Sequence, residues 1–145
     1  QERIARFAPQ ALRRAEEPVI VGVGIDLVDI ARVQRLLDGK GTRVLDRLFT
    51  AEEAAYAQAR ARPAMHLAAR LAAKEAAFKA LAGSDDARLI GWREVEVVSQ
   101  PSGPPTLAFH GRADLRAREL GVYRTHLSLT HTDATAAAVV VLERG

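Results

Sequence analysis

The run VIVGVGIDLV, from Val19 to Val28, constrains the fold more than any other feature of the sequence. It is rich in β-branched residues and has apolar residues on both alternating faces, which is typical of a strand covered on both sides. Asp26 interrupts the run near its end. With 145 residues, the chain is long enough to build one domain around such a strand.

The patterns that follow this strand set the fold class. Ile30, Val33, Leu36 and Leu37 repeat at helical spacing, with Asp29 as N-cap and Gly39 as the stop. The later elements are a capping-box helix from Thr50 to about Arg60, a long helix at 64–81, a hairpin of strands at 92–99 and 106–110, a helix at 113–120, and strands at 124–130 and 136–142. This order predicts an α+β domain, with helices packed on one side of a mostly antiparallel sheet.

The first 18 residues have a different character from the rest. They are helix-prone, rich in Arg and Glu, and end at Pro18, which biases the preceding residue toward extended geometry. We interpret residues 1–18 as an N-terminal extension and residues 19–145 as the domain.

Composition excludes several classes of protein. The 48% hydrophobic and 27% charged residues are typical of a soluble globular protein. Without cysteine, any metal must bind oxygen or imidazole ligands. The apolar runs are too short to span a membrane, and no signal peptide is recognisable, so we expect a cytoplasmic protein.

Charge gives the first indication of a partner. The formal net charge is +3, and nearly all of the 21 basic residues are Arg, which prefers bidentate contacts to phosphate and carboxylate. Aromatic residues make up only 5% and give few platforms for stacking nucleic-acid bases. An acidic or phosphorylated partner is therefore favoured over nucleic acid.

Two carboxylates occupy unusual positions. Glu75 lies four residues after Leu71 and three before Phe78, so it should point toward the core. A carboxylate there is costly unless it is paired with a cation or binds a metal, and a salt bridge would explain it without any function. Asp26 could equally be a turn or capping residue. Together, however, the two carboxylates suit Mg²⁺ completed by substrate phosphates.

A cluster of cations surrounds Glu75 on the long helix. Arg70, Lys74 and Lys79 form a basic surface of a size that suits phosphate, unless they are merely a solvated helix face.

The segment from Leu127 to Thr132 places His131 in phase with Leu127 and Leu129. A histidine there is either a satisfied core residue or a ligand-binding one, and nearby hydroxyls add possible phosphate donors: Ser128, Thr130 and Thr132.

The glycines of the first strand are similar to the start of a dinucleotide fingerprint. Gly22 and Gly24 lie within the strand, however, and the third glycine is missing. A Rossmann fold is therefore rejected, and phosphate must be held in another way.

Four blocks of the sequence together resemble the holo-acyl carrier protein synthases, small 4′-phosphopantetheinyl transferases of bacterial fatty-acid synthesis. The blocks are Val21-Gly-Val-Gly-Ile-Asp-Leu27 followed by Arg32, Leu48-Phe-Thr50-x-x-Glu53, Arg70-Leu-Ala-Ala-Lys-Glu-Ala-Ala-Phe-Lys79, and Leu127-Ser-Leu-Thr-His131-Thr. The resemblance covers residues 19–145. It departs from the family at Leu71, where an aromatic residue is usual.

The resemblance implies a set of roles. Asp26 and Glu75 would bind Mg²⁺, Lys74 and Lys79 would lie along the coenzyme A phosphates, and Arg70 would orient that surface. The block Ser128, Thr130, His131 and Thr132 would contact the nucleotide end. Arg32 and Arg35 would receive an acidic acyl carrier protein. Family members form trimers with sites between subunits, so a homotrimer is expected.

The implied reaction moves 4′-phosphopantetheine from coenzyme A to a serine of the carrier protein and releases 3′,5′-ADP. Glu75, Asp26 and Lys79 would be the catalytic residues, and either Glu75 or a metal-bound hydroxide would take the serine proton. Two alternatives remain. One is a transferase for polyketide or peptide carriers, which tends to be about twice as long, and the other is a basic nucleic-acid-binding module, which leaves Asp26 and Glu75 unexplained.

Overall fold

The computed structural model describes residues 17–40 and 42–145, so the proposed extension lies almost entirely outside them. The elements are β1 (Val19–Asp29), α1 (Ile30–Lys40), α2 (Thr42–Leu48), α3 (Ala51–Gln58), α4 (Pro63–Leu81), 3₁₀ turns at Asp86–Leu89 and Trp92–Glu94, β2 (Val95–Val98), β3 (Thr106–Phe109), α5 (Gly111–Glu119), β4 (Val122–His131) and β5 (Thr135–Arg144). The predicted α+β class is confirmed. Helix α2 was not expected, and α1 continues through Gly39 to Lys40 instead of ending there.

The strands form two separate antiparallel sheets. One has the order β1-β5-β4, and the other is the β2-β3 hairpin. Asp26 of β1 lies opposite Ala138 of β5, which lies opposite Leu129 of β4. The central strand β5 therefore separates the two edges at which the candidate site residues lie.

Helix α4 packs on β1 and β5 and forms the centre of the core. It begins with Pro63 at its first turn, a position that needs no backbone N–H donor. Its many alanines, such as Ala72 and Ala76, are fully buried because small side chains let the sheet and neighbouring helices approach closely. In the described part of the chain, no helix is both long and apolar enough to cross a membrane.

The expectation that β1 is covered on both sides is wrong for the isolated chain. Gly24 and Val28 face α4 and are buried, but Val23, Ile25 and Leu27 on the other face are 57%, 63% and 67% exposed. The sequence correctly predicts apolar residues on both faces of β1, but no element among residues 17–40 and 42–145 packs on the face that carries Val23, Ile25 and Leu27. The outer face of β1 is therefore an apolar surface open to a partner.

Candidate functional site

Asp26 and Glu75 meet where β1 packs against α4. Asp26 Oδ1 accepts a hydrogen bond from Lys79 Nζ at 3.1 Å, and the same ammonium donates to the Ile25 carbonyl at 2.9 Å. The Glu75 carboxyl group is in hydrogen-bonding contact with Asp26. Asp26 Oδ2 is buried and accepts no hydrogen bond from a donor in the described residues. The structure thus brings together two carboxyl groups and one ammonium from distant parts of the sequence.

The two carboxyl groups shift each other's pKa in opposite directions. Burial raises the pKa of Glu75 to about 7, aided by its hydrogen bond to Asp26 and by the negative charge of Asp26. Burial also acts to raise the pKa of Asp26, but hydrogen bonds from Glu75 and Lys79 outweigh it and lower that pKa. Glu75 therefore takes up a proton at a higher pH than Asp26 does.

This pair fits a divalent cation. A cation would offset the negative charge of the two adjacent carboxylates and would give the unpartnered Asp26 Oδ2 a partner. Within the described ranges, no group of three or more His, Cys, Asp or Glu side chains could hold a metal. The pair alone therefore suits Mg²⁺, which usually keeps several waters and is bound by one or two carboxylates together with substrate phosphates.

The raised pKa of Glu75 predicts how stability depends on pH. Since the folded state binds this proton more tightly than the unfolded state, the free energy of unfolding should fall as pH rises from about 5 to 8. We expect a loss of about 1 kcal/mol, because solvent screens a partly exposed carboxyl group. Urea unfolding of metal-free protein measures it, and Glu75→Gln should remove most of the slope. An unchanged slope in that variant would assign the dependence to other groups.

Lys74 does not belong to the basic surface expected around Glu75. Its ammonium is fully buried and donates to Glu53 Oε1 at 2.8 Å and to the carbonyls of Trp92 and Val95. Glu53 in turn accepts from the backbone of Thr50, as the capping box predicts, and from Val97 N. All three ammonium protons have acceptors, so Lys74 ties α3 and α4 to β2 and has no donor left for a substrate phosphate.

Arg70 lies in the wall of a cavity of about 300 Å³ between α4, the β2-β3 connection and β4. It is 3% exposed, donates to Ser99 Oγ and to the His66 carbonyl, and stacks on the Tyr56 ring. Its Nε is buried and has no acceptor in the described residues. Among the residues that the structure describes, no carboxylate lines this cavity, so the buried guanidinium makes it attractive to an anion.

His131 lies in the same cavity, at the end of β4, on the face that also carries Leu127 and Leu129. Although in phase with them as expected, it is exposed and not a core residue. Ser128 and Thr130 alternate to the opposite face of the strand. The Thr132 hydroxyl accepts from two backbone amides of the β4-β5 turn, so its role here is structural.

Tyr56, His66 and Ser99 are cavity residues that sequence reasoning missed. His66 precedes Arg70 by four residues on α4, so helical spacing already placed both on one face. Burial, followed by the charge of Arg70, lowers the pKa of His66, which keeps its ring neutral at pH 7. Tyr56 lies between two guanidinium groups, those of Arg60 and Arg70, at 3.2 and 4.0 Å from its ring centre.

Arg32 and Arg35 are exposed on α1, opposite the buried Ile30 and Val33. Arg32 is near enough to Glu75 to lower the pKa of that carboxyl group. The basic face of α1 therefore borders the carboxylate pair.

The carboxylate pair and the cavity lie on opposite sides of α4. Asp26 belongs to one edge strand of the sheet and His131 to the other, with β5 between them and α4 packed above. Two strand spacings separate these edges by about 10 Å. The two groups of candidate site residues therefore lie at opposite edges of the sheet.

The sequence and the fold both match one group of known proteins. Residues 22–139 match the model of the 4′-phosphopantetheinyl transferase superfamily. The chain is 47% identical over 128 residues to the holo-acyl-carrier-protein synthase of Anaeromyxobacter sp. (strain K), which covers 86% of this chain and 97% of that relative. The corresponding protein of Geobacter sulfurreducens is 45% identical over 126 residues, 87% of this chain and 99% of the relative.

Two solved structures have a fold similar to that of this chain, and one of them contains a ligand. The holo-acyl-carrier-protein synthase of Neisseria meningitidis superposes with a TM-score of 0.75 at 29% identity, over 87% of this chain and 100% of that one. A holo-acyl-carrier-protein synthase of Bacillus anthracis in complex with CoA (3′,5′-ADP) gives a TM-score of 0.69 at 30% identity, over 87% and 98%. The matched region includes both the carboxylate pair and the Arg70 cavity.

Proposed function

The chain belongs to the 4′-phosphopantetheinyl transferase superfamily, and we propose that it transfers 4′-phosphopantetheine from coenzyme A to a serine hydroxyl of an apo-acyl carrier protein. The products are the holo-carrier protein and 3′,5′-ADP. The observation that carries this proposal is the Asp26–Glu75 pair, whose adjacent carboxyl groups and unpartnered Oδ2 atom fit a Mg²⁺ ion completed by pyrophosphate oxygens.

In the reaction, the serine oxygen forms a bond to the β-phosphorus, and the bond from that phosphorus to the leaving nucleotide phosphate breaks. When bound, Mg²⁺ neutralises charge on the pyrophosphate oxygens. The Lys79 side chain is 57% exposed, so its ammonium can contact the same oxygens while it remains beside Asp26. The Glu75 carboxylate, which lies beside Asp26, is the candidate acceptor of the serine proton.

We assign the nucleotide end of coenzyme A to the Arg70 cavity. A buried guanidinium with a free Nε, the exposed His131 and the absence of a lining carboxylate favour a phosphate there. Ser128 and Thr130 are also among the residues that line the cavity. Since this cavity and the carboxylate pair lie at opposite edges of the sheet, we propose that one coenzyme A extends from the pair of one chain to the cavity of its neighbour.

We therefore propose a homotrimer. The open apolar face of β1, with Val23, Ile25 and Leu27, provides a surface that a second copy would bury. Packing of copies around this face would bring the carboxylate pair of one chain to the Arg70 cavity of the next. The exposed apolar face supports the need for a partner, and the number three comes from the family resemblance.

The exposed arginines of α1 predict where the carrier protein docks. Arg32→Glu combined with Arg35→Glu should raise the KM for the acidic carrier about tenfold or more, because it replaces attraction by repulsion, and should weaken its salt dependence. The KM for coenzyme A should change less than about twofold. Steady-state kinetics at two ionic strengths measure both constants.

Two variants serve as controls for the docking experiment. Arg118→Glu on α5 makes the same charge change as Arg35→Glu alone and should leave both constants near their wild-type values. Arg35→Glu alone avoids the influence of Arg32 on Glu75. Equal losses of affinity for carrier and coenzyme A in Arg35→Glu would show that α1 is not the docking surface.

The transfer itself is tested by its second product. Incubation of the chain with apo-carrier protein, coenzyme A and Mg²⁺ should release 3′,5′-ADP, which chromatography separates from coenzyme A. Without apo-carrier, no release is expected. Release that does not depend on the carrier protein would indicate hydrolysis of coenzyme A and contradict the proposed reaction.

A further inference from the structure

Gly22 and Gly24 lie on the face of β1 that packs against α4. A Cβ atom added to Gly24 would lie 1.7 Å from the Ala76 carbonyl oxygen, and one added to Gly22 would lie 2.2 Å from that of Ala80. Both distances are far below 3.0 Å, a limit that real Cβ atoms almost never cross, and both contacts are with backbone. No rearrangement of side chains can therefore make room for alanine at either position.

The spacing of the glycines matches the spacing of the helix carbonyls. Two residues along a strand advance about 6.6 Å, and four residues along a helix advance about 6 Å. Gly22 and Gly24 thus meet successive turns of α4, at Ala80 and Ala76. The helix lies directly on the strand along this stretch because neither glycine has a side chain to hold it away.

This close approach occurs beside the candidate active site. Glu75 immediately precedes Ala76, and Lys79 immediately precedes Ala80, and both side chains contact Asp26, which follows Gly24 by two residues. The separation of α4 and β1 therefore determines whether Glu75 and Lys79 reach Asp26. A shift of about 1 Å would break hydrogen-bonding contacts of this kind.

We propose that Gly22 and Gly24 are positioning residues for the transfer reaction: they set the distance between β1 and α4 at which Asp26, Glu75 and Lys79 form one site. The inference rests on the proposed function. The GxG motif acts here through packing, in contrast to its phosphate-binding role in dinucleotide folds. Its glycines touch no substrate, and their effect passes through the placement of Glu75 and Lys79.

The test measures binding of Mn²⁺ alone by electron paramagnetic resonance of the free ion. Gly24→Ala should weaken Mn²⁺ binding at least about tenfold, as displacement of supporting residues does at other metal sites. Gly22→Ala should weaken Mn²⁺ binding less, because the added Cβ atom overlaps less with the Ala80 carbonyl oxygen than that of Gly24→Ala does with the Ala76 carbonyl oxygen. Ala80 also follows Lys79 and not Glu75. Circular dichroism and thermal unfolding establish that each variant is folded.

A matched control separates positioning from general destabilisation. Ala113 of α5 is also fully buried in the core but belongs to neither β1 nor α4. Ala113→Val crowds this core and should lower the melting temperature while keeping Mn²⁺ affinity within about twofold of wild type. Equal loss of Mn²⁺ binding in Ala113→Val, or unchanged binding in folded Gly24→Ala, would overturn the inference.

A crystal structure of Gly24→Ala or, if that variant does not fold, of Gly22→Ala gives a second measurement that does not involve metal. The inference expects α4 to be displaced from β1 and the contact between the carboxyl groups of Glu75 and Asp26 to be lost. If Asp26→Asn binds Mn²⁺ as tightly as wild type, the proposed metal site is wrong, and the crystal structure of the glycine variant alone decides the role of the glycines. An intact contact between Asp26 and Glu75 in that crystal structure contradicts the inference. Failure of both glycine variants to fold also contradicts the inference, because the glycines then serve the fold as a whole.

Discussion

Asp26→Asn and Glu75→Gln should each reduce the rate of phosphopantetheine transfer by about a thousandfold or more. Each change removes one of two carboxylates proposed to hold Mg²⁺, and charge stabilisation of that kind contributes several kcal/mol to phosphoryl transfer. An amide retains the size of the side chain but not its negative charge. The loss should appear at saturating coenzyme A and carrier protein and should not be restored by excess Mg²⁺.

The same variants should remain folded. Glu75→Gln should be at least as stable as wild type above pH 7, because it relieves the repulsion between two crowded carboxylates. Thermal unfolding checks this, and Glu52→Gln, an exposed change on α3, is the matched control for activity. Near-normal, Mg²⁺-dependent turnover in either Asp26→Asn or Glu75→Gln would exclude that residue as a metal ligand.

A mixture of two inactive variants should regain activity if the site lies between chains. Glu75→Gln loses the carboxylate pair, and His131→Ala loses a residue of the Arg70 cavity. After subunit exchange at equal concentrations, about one interface in four should combine an intact Glu75 from one chain with an intact His131 from the next. We therefore expect about a quarter of the wild-type transfer rate.

The complementation experiment requires proof of exchange. Native mass spectrometry of the mixture, with one variant isotopically labelled, shows whether mixed trimers form. If mixed trimers form and the mixture remains inactive, both residues act within one chain. Sedimentation of the wild-type chain as a monomer would contradict the intersubunit site altogether.

Sequence reasoning identified Asp26 and Glu75 because their placement violates a simple rule. A carboxylate on the apolar side of a helix or within an apolar strand is costly, so its presence indicates a compensating partner. The structure shows that the two carboxylates are partners of each other and of Lys79. What the sequence could not show is the raised pKa of Glu75, which depends on burial and on the distance between elements about fifty residues apart.

The same reasoning failed for Lys74 because helical spacing does not reveal what packs against a helix. Lys74 lies between Arg70 and Lys79 in the sequence, but its side of α4 is covered by α3 and β2. The capping-box pattern explains why Glu53 accepts a hydrogen bond from Thr50 N, but it does not predict that the same carboxylate also pairs with Lys74. A carboxylate has enough acceptor sites for both interactions. Burial by distant elements is a tertiary property that local patterns do not contain.

The sequence correctly predicts apolar residues on both faces of β1, but it does not show that only one of these faces is covered within the chain. A strand with apolar residues on both faces requires two neighbours, and this one finds α4 on one side only. Sequence patterns do not distinguish burial within a chain from burial between chains. That distinction bears on the proposed intersubunit site, because the outer face of β1 is the surface that we expect a second copy to cover.

The central claim is tested most directly by the mass of the carrier protein. Intact mass spectrometry of apo-acyl carrier protein after incubation with this chain, coenzyme A and Mg²⁺ should show the addition of one phosphopantetheinyl group. A carrier protein with alanine in place of the acceptor serine should remain unmodified. An unchanged mass of the wild-type carrier, under conditions in which a known synthase modifies it, would contradict the account.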